Sequence, residues 1–193
     1  MEPIAALPSA AAWQHRDARE GFEVVFISRS GAGHRFRGST VAVQAGVSWC
    51  VDYELTLDRA GVTRSAQIRS RGHDGEAALH LESTREGDWW ANGRHLPALH
   101  GCLDVDLEAS ALTNAFPVRR LTLRAGAVAN APAVFVRAND LSVERLEQRY
   151  ERLLNDAAPS YLYSAPRFDF TATLRYDASG LILDYPGIAE RKL

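Results

Sequence analysis

Strict alternation of apolar and polar side chains is the feature of this 193-residue chain that most restricts its fold. Between positions 49 and 57 every second residue is apolar: Trp49, Val51, Tyr53, Leu55 and Leu57. The positions between them from 52 onward are polar. Because successive side chains of a β-strand point to opposite faces, this pattern predicts a half-buried strand with one face in solvent.

The same alternation recurs along most of the chain. It is present in residues 76–82 and 168–176, whereas in residues 22–27 both faces are apolar, which predicts a strand covered on both sides. Glycine, asparagine and aspartate mark turns at 31–33, 45–46, 58–61, 74–75, 92–93 and 177–180. We therefore predict one domain over residues 1–193, mostly β, with roughly ten strands in an antiparallel meander folded into a sandwich, roll or barrel.

Two segments carry further predictions. From Ser142 to Leu154 the apolar residues recur at three- and four-residue spacing, which favours a helix. In the segment 119–123, an extended chain puts Arg119 on the same face as Leu121 and Leu123. An arginine on an apolar face needs an anionic or hydrogen-bonding partner, either a protein carboxylate such as Asp104 or Asp106, or the head group of a ligand.

Charge and cysteine content limit the class of partner and the compartment. The formal net charge of −2 offers no surplus of basic residues for nucleic acid or for an anionic membrane surface. No stretch approaches the about 20 apolar residues of a membrane span, and the first residues do not resemble a secretory signal. We therefore predict a cytoplasmic protein that inserts in no membrane, with Cys50 and Cys102 both reduced and buried.

The region from Trp89 to Pro117 interrupts the alternation and holds the candidate functional residues. A metal site could use His95, His100, Asp104 and Asp106, but their spacing matches no established metal signature, and we predict neither a metal nor a cofactor. Hydrolysis could use an acidic pair, or Cys102 with His100, although the cysteine lacks a recognised nucleophile motif. The third alternative is binding of an amphiphile, because tryptophan rings can line an apolar pocket or stack on a sugar.

The central sequence resembles a known bacterial family. The residues that carry the resemblance are 100–107 (HGCLDVDL) and 113–121 (TNAFPVRRL), supported by Thr63-Arg64, Trp90 with Asn92-Gly93, Gln148-Arg149-Tyr150, Tyr161-Leu162-Tyr163 and the ending 180–187. On these residues the chain is similar to a family of glycolipid-binding proteins. Ala115-Phe116 departs from the family pattern, which more often has a polar residue and leucine there.

The resemblance implies a spiral β-roll or half-open barrel with one or two short helices. We hypothesise a non-enzymatic protein that holds a lipid or glycolipid in a cavity of the curved sheet. Three aromatic residues would line or rim that pocket: Trp89, Trp90 and Tyr53. Five residues would form its polar end: Asp104, Asp106, Asn114, Arg119 and Arg120. The alternative is a hydrolase-like enzyme that acts on a sugar- or acyl-bearing metabolite through His100, Asp104 and Asp106.

Overall fold

The computed structural model describes residues 4–31, 33–154 and 158–192, and most of these lie in β-strands. The first half of the chain forms β1 (Ala10–His15), β2 (Glu20–Ser30), β3 (Gly33–Gln44), β4 (Val47–Asp58), β5 (Thr63–Gly72), β6 (Gly75–Ser83), β7 (Trp89–Ala91) and β8 (Arg94–His95). The second half forms β9 (Asp104–Leu107), β10 (Val128–Asn130), β11 (Ala133–Val136), β12 (Val143–Leu146), β13 (Arg149–Arg152), β14 (Ser160–Ala165), β15 (Phe170–Tyr176), β16 (Ile182–Tyr185) and β17 (Ala189–Lys192). The helical elements are α1 (Ala115–Leu121) and short 3₁₀ helices at Pro97–Leu99, Leu112–Asn114 and Pro166–Phe168.

Fourteen strands form one antiparallel sheet in the order β10-β13-β14-β15-β16-β17-β1-β2-β3-β4-β5-β6-β7-β8. Strand β1 pairs with β2 on one side and with β17 on the other, so the two ends of the chain meet inside the sheet. A second sheet has the order β12-β11-β9, and its β9–β11 pair is parallel. The prediction of a mostly β, antiparallel fold with a short helix is confirmed.

The alternating strands bury one face each, as predicted. In β4 the side chains of positions 49, 51, 53, 55 and 57 are buried and those between them are half-buried. The turn between β3 and β4 has Ala45 and Gly46 both at positive φ, which is the geometry of a tight two-residue hairpin. The asparagine and glycine at 92–93 make the same turn between β7 and β8.

The space between the walls of the large sheet is filled by the inner segment, which we define as residues 102–118. All of its residues are buried except Leu103 and Glu108, which are half-buried. Its Phe116 packs on Phe36 of β3 with ring centroids 5.1 Å apart. The hydroxyl of Thr40 donates to the carbonyl of Ala109 at 2.8 Å. The buried face of the sheet and the inner segment therefore share one hydrophobic core.

A buried carboxylate joins the sheet to the inner segment. Glu23 on β2 accepts hydrogen bonds from the hydroxyl of Tyr53 at 2.6 Å, from the hydroxyl of Ser110, and from the backbone N–H of Ala111 at 2.7 Å. Burial raises the pKa of Glu23, although these donors and Arg19 favour its charged form. Tyr53 reaches Glu23 across Gly38, and a Cβ at that glycine would lie 2.1 Å from the tyrosine ring.

Three predictions of local structure are wrong. Residues 142–154 are not a helix but contain β12 and β13, because the inward positions Leu146, Gln148 and Tyr150 alternate with period two and a polar glutamine hides that period. Residues 119–121 end α1 and are not part of a strand. The face of β2 that holds Phe22, Val24 and Phe26 is exposed, so that strand is covered on one side only.

Both cysteines are free, as predicted, but only Cys102 is buried, whereas Cys50 is half-buried. Within the described ranges, every helix falls short of the length and apolar content that a membrane-crossing helix requires.

Replacing Gly38 with alanine tests the junction between the sheet and the inner segment. The added Cβ would displace the Tyr53 ring and leave Glu23 without one of its donors, so we expect G38A to lose about 3 kcal/mol of unfolding free energy. Urea unfolding followed by tryptophan fluorescence measures this loss. G31A is the matched control, because no atom lies within 4 Å of a Cβ built there. Equal stability of G38A and wild type would contradict this account of the junction.

Candidate ligand-binding cavity

A cavity of about 220 Å³ lies between the inner segment and the strands β14, β15 and β16. Its walls are mainly aromatic, and its lining includes five aromatic side chains: Phe135, Tyr163, Phe168, Phe170 and Tyr185. We call it the aromatic cavity. Polar groups reach it from the inner segment, namely Asp106, Glu108, Ser110 and Asn114.

Strand register brings the aromatic walls together. Tyr163 and Ala165 point inward from β14, and their partners on β15 are Ala172 and Phe170. The Tyr163 ring centroid lies 6.0 Å from that of Phe170 and 6.2 Å from that of Tyr185. Such offset and edge-on arrangements are favourable for aromatic pairs. They leave ring faces and edges around a space instead of a close-packed core.

The polar floor of the aromatic cavity is a chain of hydrogen bonds. Asp106 accepts from the hydroxyl of Thr113 at 2.9 Å and from the side-chain amide of Gln148 at 2.5 Å. The same amide nitrogen of Gln148 donates to the hydroxyl of Tyr163 at 2.9 Å. The side chain of Asn114 accepts from the hydroxyl of Tyr150 at 2.8 Å. These bonds hold the carboxylate of Asp106, the amide of Asn114 and the phenol of Tyr163 in fixed positions at the cavity.

Burial controls the charge of these groups. It raises the pKa of Asp106 to about 6, against the opposing effect of the two hydrogen bonds, and the nearby carboxylates of Asp104 and Glu108 raise it further. Burial also raises the pKa values of Tyr163 and Tyr185, so both phenols stay neutral. Among the described residues, no arginine, lysine or histidine forms an ion pair with Asp106 within 4.0 Å. At neutral pH the floor therefore carries a negative charge without a protein counterion.

The mouth of the aromatic cavity has a cation between two rings. The guanidinium of Arg137 lies 5.2 Å from the ring centroid of Phe135 and 5.3 Å from that of Phe168. It also forms ion pairs with Glu108 at 3.5 Å and Glu144 at 3.1 Å. Because two carboxylates already neutralise Arg137, the mouth has no surplus positive charge.

The structure brings together only part of the residue set predicted from the sequence. Asp106 and Asn114 lie at the aromatic cavity. Asp104 is not part of its lining and forms a buried ion pair with Arg120, whose Nε lies 3.3 Å from Oδ1. Arg119, expected on an apolar strand face with an aspartate or a ligand head group as its partner, instead donates from the helix to the backbone carbonyl of Ser179. The internal Arg–Asp pair exists, but it uses the neighbouring arginine.

The predicted aromatic residues lie elsewhere. Tyr53 is bonded to Glu23, and Trp89 is fully buried, with its indole N–H donating to the carbonyl of Cys102 at 2.9 Å. Trp90 is half-buried and stacks on His95, with ring centroids 4.9 Å apart. None of the three lines the aromatic cavity. The rings that do line it were not recognised in the sequence, because they look like ordinary inward positions of alternating strands.

The groups considered for catalysis or metal binding do not converge. The Nδ1 atom of His100 lies 3.0 Å from a carboxylate oxygen of Asp88, and His95 lies 3.8 Å from the same oxygen. Asp104 and Asp106 have other partners. Burial raises the pKa of Cys102 to about 11, so the thiolate that a nucleophile requires is scarce at neutral pH. The described residues contain no group of three or more His, Cys, Asp or Glu side chains that could hold a metal ion.

Comparison with known proteins places the chain in a family. A family profile described as "Putative glycolipid-binding" matches residues 10–191, which is nearly the whole sequence. The chain belongs to this family. The resemblance seen in the central residues is thereby confirmed. No curated protein matches the chain.

Two solved structures share the fold of this glycolipid-binding family member. A DUF1089 family protein from Pseudomonas aeruginosa is 31% identical with a TM-score of 0.75, and the match covers 100% of this chain and 97% of that one. A β-barrel-like protein of the DUF1849 domain of unknown function from Brucella abortus is 9% identical with a TM-score of 0.53, over 97% and 95% of the two chains. The second likeness concerns the fold alone.

The raised pKa of Asp106 predicts how stability changes with pH. The folded state holds the proton up to about pH 6, whereas an unfolded aspartate loses it near pH 3.9, so this group lowers stability as pH rises from about 4 to about 6. The wild-type protein should lose up to about 3 kcal/mol of unfolding free energy across that interval, and D106N should not show this loss. Urea unfolding from pH 4 to pH 7 measures it, with D74N at an exposed turn as the control. Parallel profiles for wild type and D106N would contradict the burial of an ionisable carboxyl there.

Proposed function

We propose that this protein binds a glycolipid, or a related amphiphile, with the sugar head group in the aromatic cavity. The observation that carries the proposal is the combination of five aromatic side chains with a fixed floor of carboxylate, amide and phenol groups. Flat aromatic rings can stack on the C–H face of a sugar, and the polar floor can exchange hydrogen bonds with its hydroxyl groups. The name of the family supports the same class of ligand.

The size of the aromatic cavity limits which part of the amphiphile enters it. About 220 Å³ is below the roughly 300–1,000 Å³ of pockets that enclose drug-sized ligands. The cavity therefore accommodates a head group and excludes long alkyl chains. Phe168, which is exposed at the mouth, offers apolar surface to the first part of a chain that stays outside. The cavity hypothesised from the sequence to hold a lipid or glycolipid is thereby assigned to the head group.

Binding without catalysis is the function that the cavity supports best. The hydrolase alternative required His100, Asp104 and Asp106 to act together, but Asp104 is paired with Arg120, and His100 with Asp88. Of the residues that the structure describes, Thr113 and Gln148 are the ones bonded to Asp106, and neither is a second catalytic group. The free thiols fit a reducing compartment, and we place the protein in the cytoplasm as part of this proposal.

Native mass spectrometry of gently purified protein tests the proposal. We expect a bound amphiphile, or uptake of one from a panel of glycolipids, and lipid extraction identifies it. F168A should weaken this binding about fivefold to tenfold, because the mouth loses one ring while little buried surface is disturbed. F26A is the matched control, because Phe26 is also an exposed phenylalanine, at 64% against 40% for Phe168, and lies outside the aromatic cavity.

Protein that is consistently empty and ignores every glycolipid in the panel would overturn the proposal. Equal weakening by F168A and F26A would show that binding occurs, but not at the aromatic cavity.

A further inference from the structure

The charge on the floor of the aromatic cavity distinguishes this cavity from a neutral sugar pocket. The two carboxylates that neighbour it on β9 and directly after β9 have cationic partners: Asp104 pairs with Arg120, and Glu108 pairs with Arg137. Within the described part of the chain, Asp106 accepts only from the neutral donors Thr113 and Gln148. A buried charge is costly unless a counterion or sufficient hydrogen bonds compensate for it.

The groups around Asp106 are mainly neutral or negative. The nearby carboxylates Asp104 and Glu108 disfavour its ionisation, and the two cations closest to the cavity, Arg19 and Arg137, each interact with two other carboxylates. The phenols close enough to interact with it come from four strands and remain protonated: Tyr150, Tyr163, Tyr176 and Tyr185. The electrostatic potential in the aromatic cavity is therefore negative at neutral pH, which repels phosphate, sulfate and carboxylate head groups.

The carboxylate of Asp106 has unused acceptor capacity. A carboxylate offers about four lone-pair positions, and Asp106 uses one on each oxygen. The cavity in front of it is walled by aromatic rings, whose faces attract cations. A carboxylate next to ring faces is the set of groups that recognises an ammonium ion, since the charge is neutralised on one side and stabilised by π-systems on the other.

We infer that the head group bound in the aromatic cavity carries a protonated primary amine, as in an amino sugar, and that this amine pairs with Asp106. The inference rests on the proposed function, because it names the chemical class of the sugar in that site. The ammonium group donates to the free lone pairs of Asp106, and the sugar ring lies against Tyr163, Phe170 and Tyr185. Acetylation of the amine removes its positive charge, so an N-acetylated sugar loses the tighter binding that the ion pair with Asp106 gives.

Titration of the wild-type protein with monosaccharides, followed by saturation-transfer NMR, tests the inference. The probes are glucosamine, glucose, N-acetylglucosamine and glucose 6-phosphate at pH 7.0. We expect glucosamine to bind about tenfold more tightly than glucose or N-acetylglucosamine, as for a hydrogen-bonded ion pair, and glucose 6-phosphate to bind most weakly. D106N should remove the preference for glucosamine, whereas D74N should retain it.

The pH dependence gives a second readout that does not require the variant to fold. Between pH 7 and pH 5 Asp106 becomes largely protonated while a primary amine keeps its proton, so the affinity for glucosamine should fall about tenfold and the affinity for glucose should change little. Equal affinity for glucosamine and glucose, at both pH values, would overturn the inference and leave sugar binding intact. Binding of ethanolamine as tight as that of glucosamine would support the amine contact and overturn the sugar part of the proposed function. Failure of all four sugars to bind would overturn both.

Discussion

The carboxylate of Glu23 connects the rolled sheet to the segment that fills it, and the rest of the interior depends on that connection. It takes hydrogen bonds from β4 through Tyr53 and from the inner segment through Ser110 and the N–H of Ala111. These contacts fix the turn that precedes Thr113 and Asn114. Because Thr113 then positions Asp106, the same contacts also determine where the floor of the aromatic cavity lies.

The sheet could be predicted from the sequence because the patterns that specify its strands and turns are local in the sequence. In the long strands between residues 33 and 83 buried positions recur with period two, and the turns that the sequence marks at 45–46, 58–61 and 74–75 follow β3, β4 and β5. The inner segment could not be predicted in the same way. The segment from β12 to β13 resembled a helix because Gln148 occupies an inward position between Leu146 and Tyr150, and only its bonds to Asp106 and Tyr163 make a polar residue acceptable there.

At the candidate site, only residues of the inner segment could be predicted from the sequence. Asp106 and Asn114 stood out because they belong to an irregular stretch with unusual residues. Tyr163, Phe170 and Tyr185 did not, because an inward aromatic residue that lines a cavity has the same local pattern as one that packs in a core. Which of the two it becomes depends on the register of β14, β15 and β16 and on how closely the inner segment approaches them, and both are long-range properties.

A crystal structure of the protein with its co-purified or added glycolipid directly tests the central claim, that the sugar head group binds in the aromatic cavity. The account predicts electron density for a sugar ring against Tyr163 and Phe170, with a polar group of the ligand within hydrogen-bond distance of Asp106, while the alkyl chain leaves past Phe168. Density for the sugar at any other surface, with the aromatic cavity unchanged and empty of ligand, would contradict it.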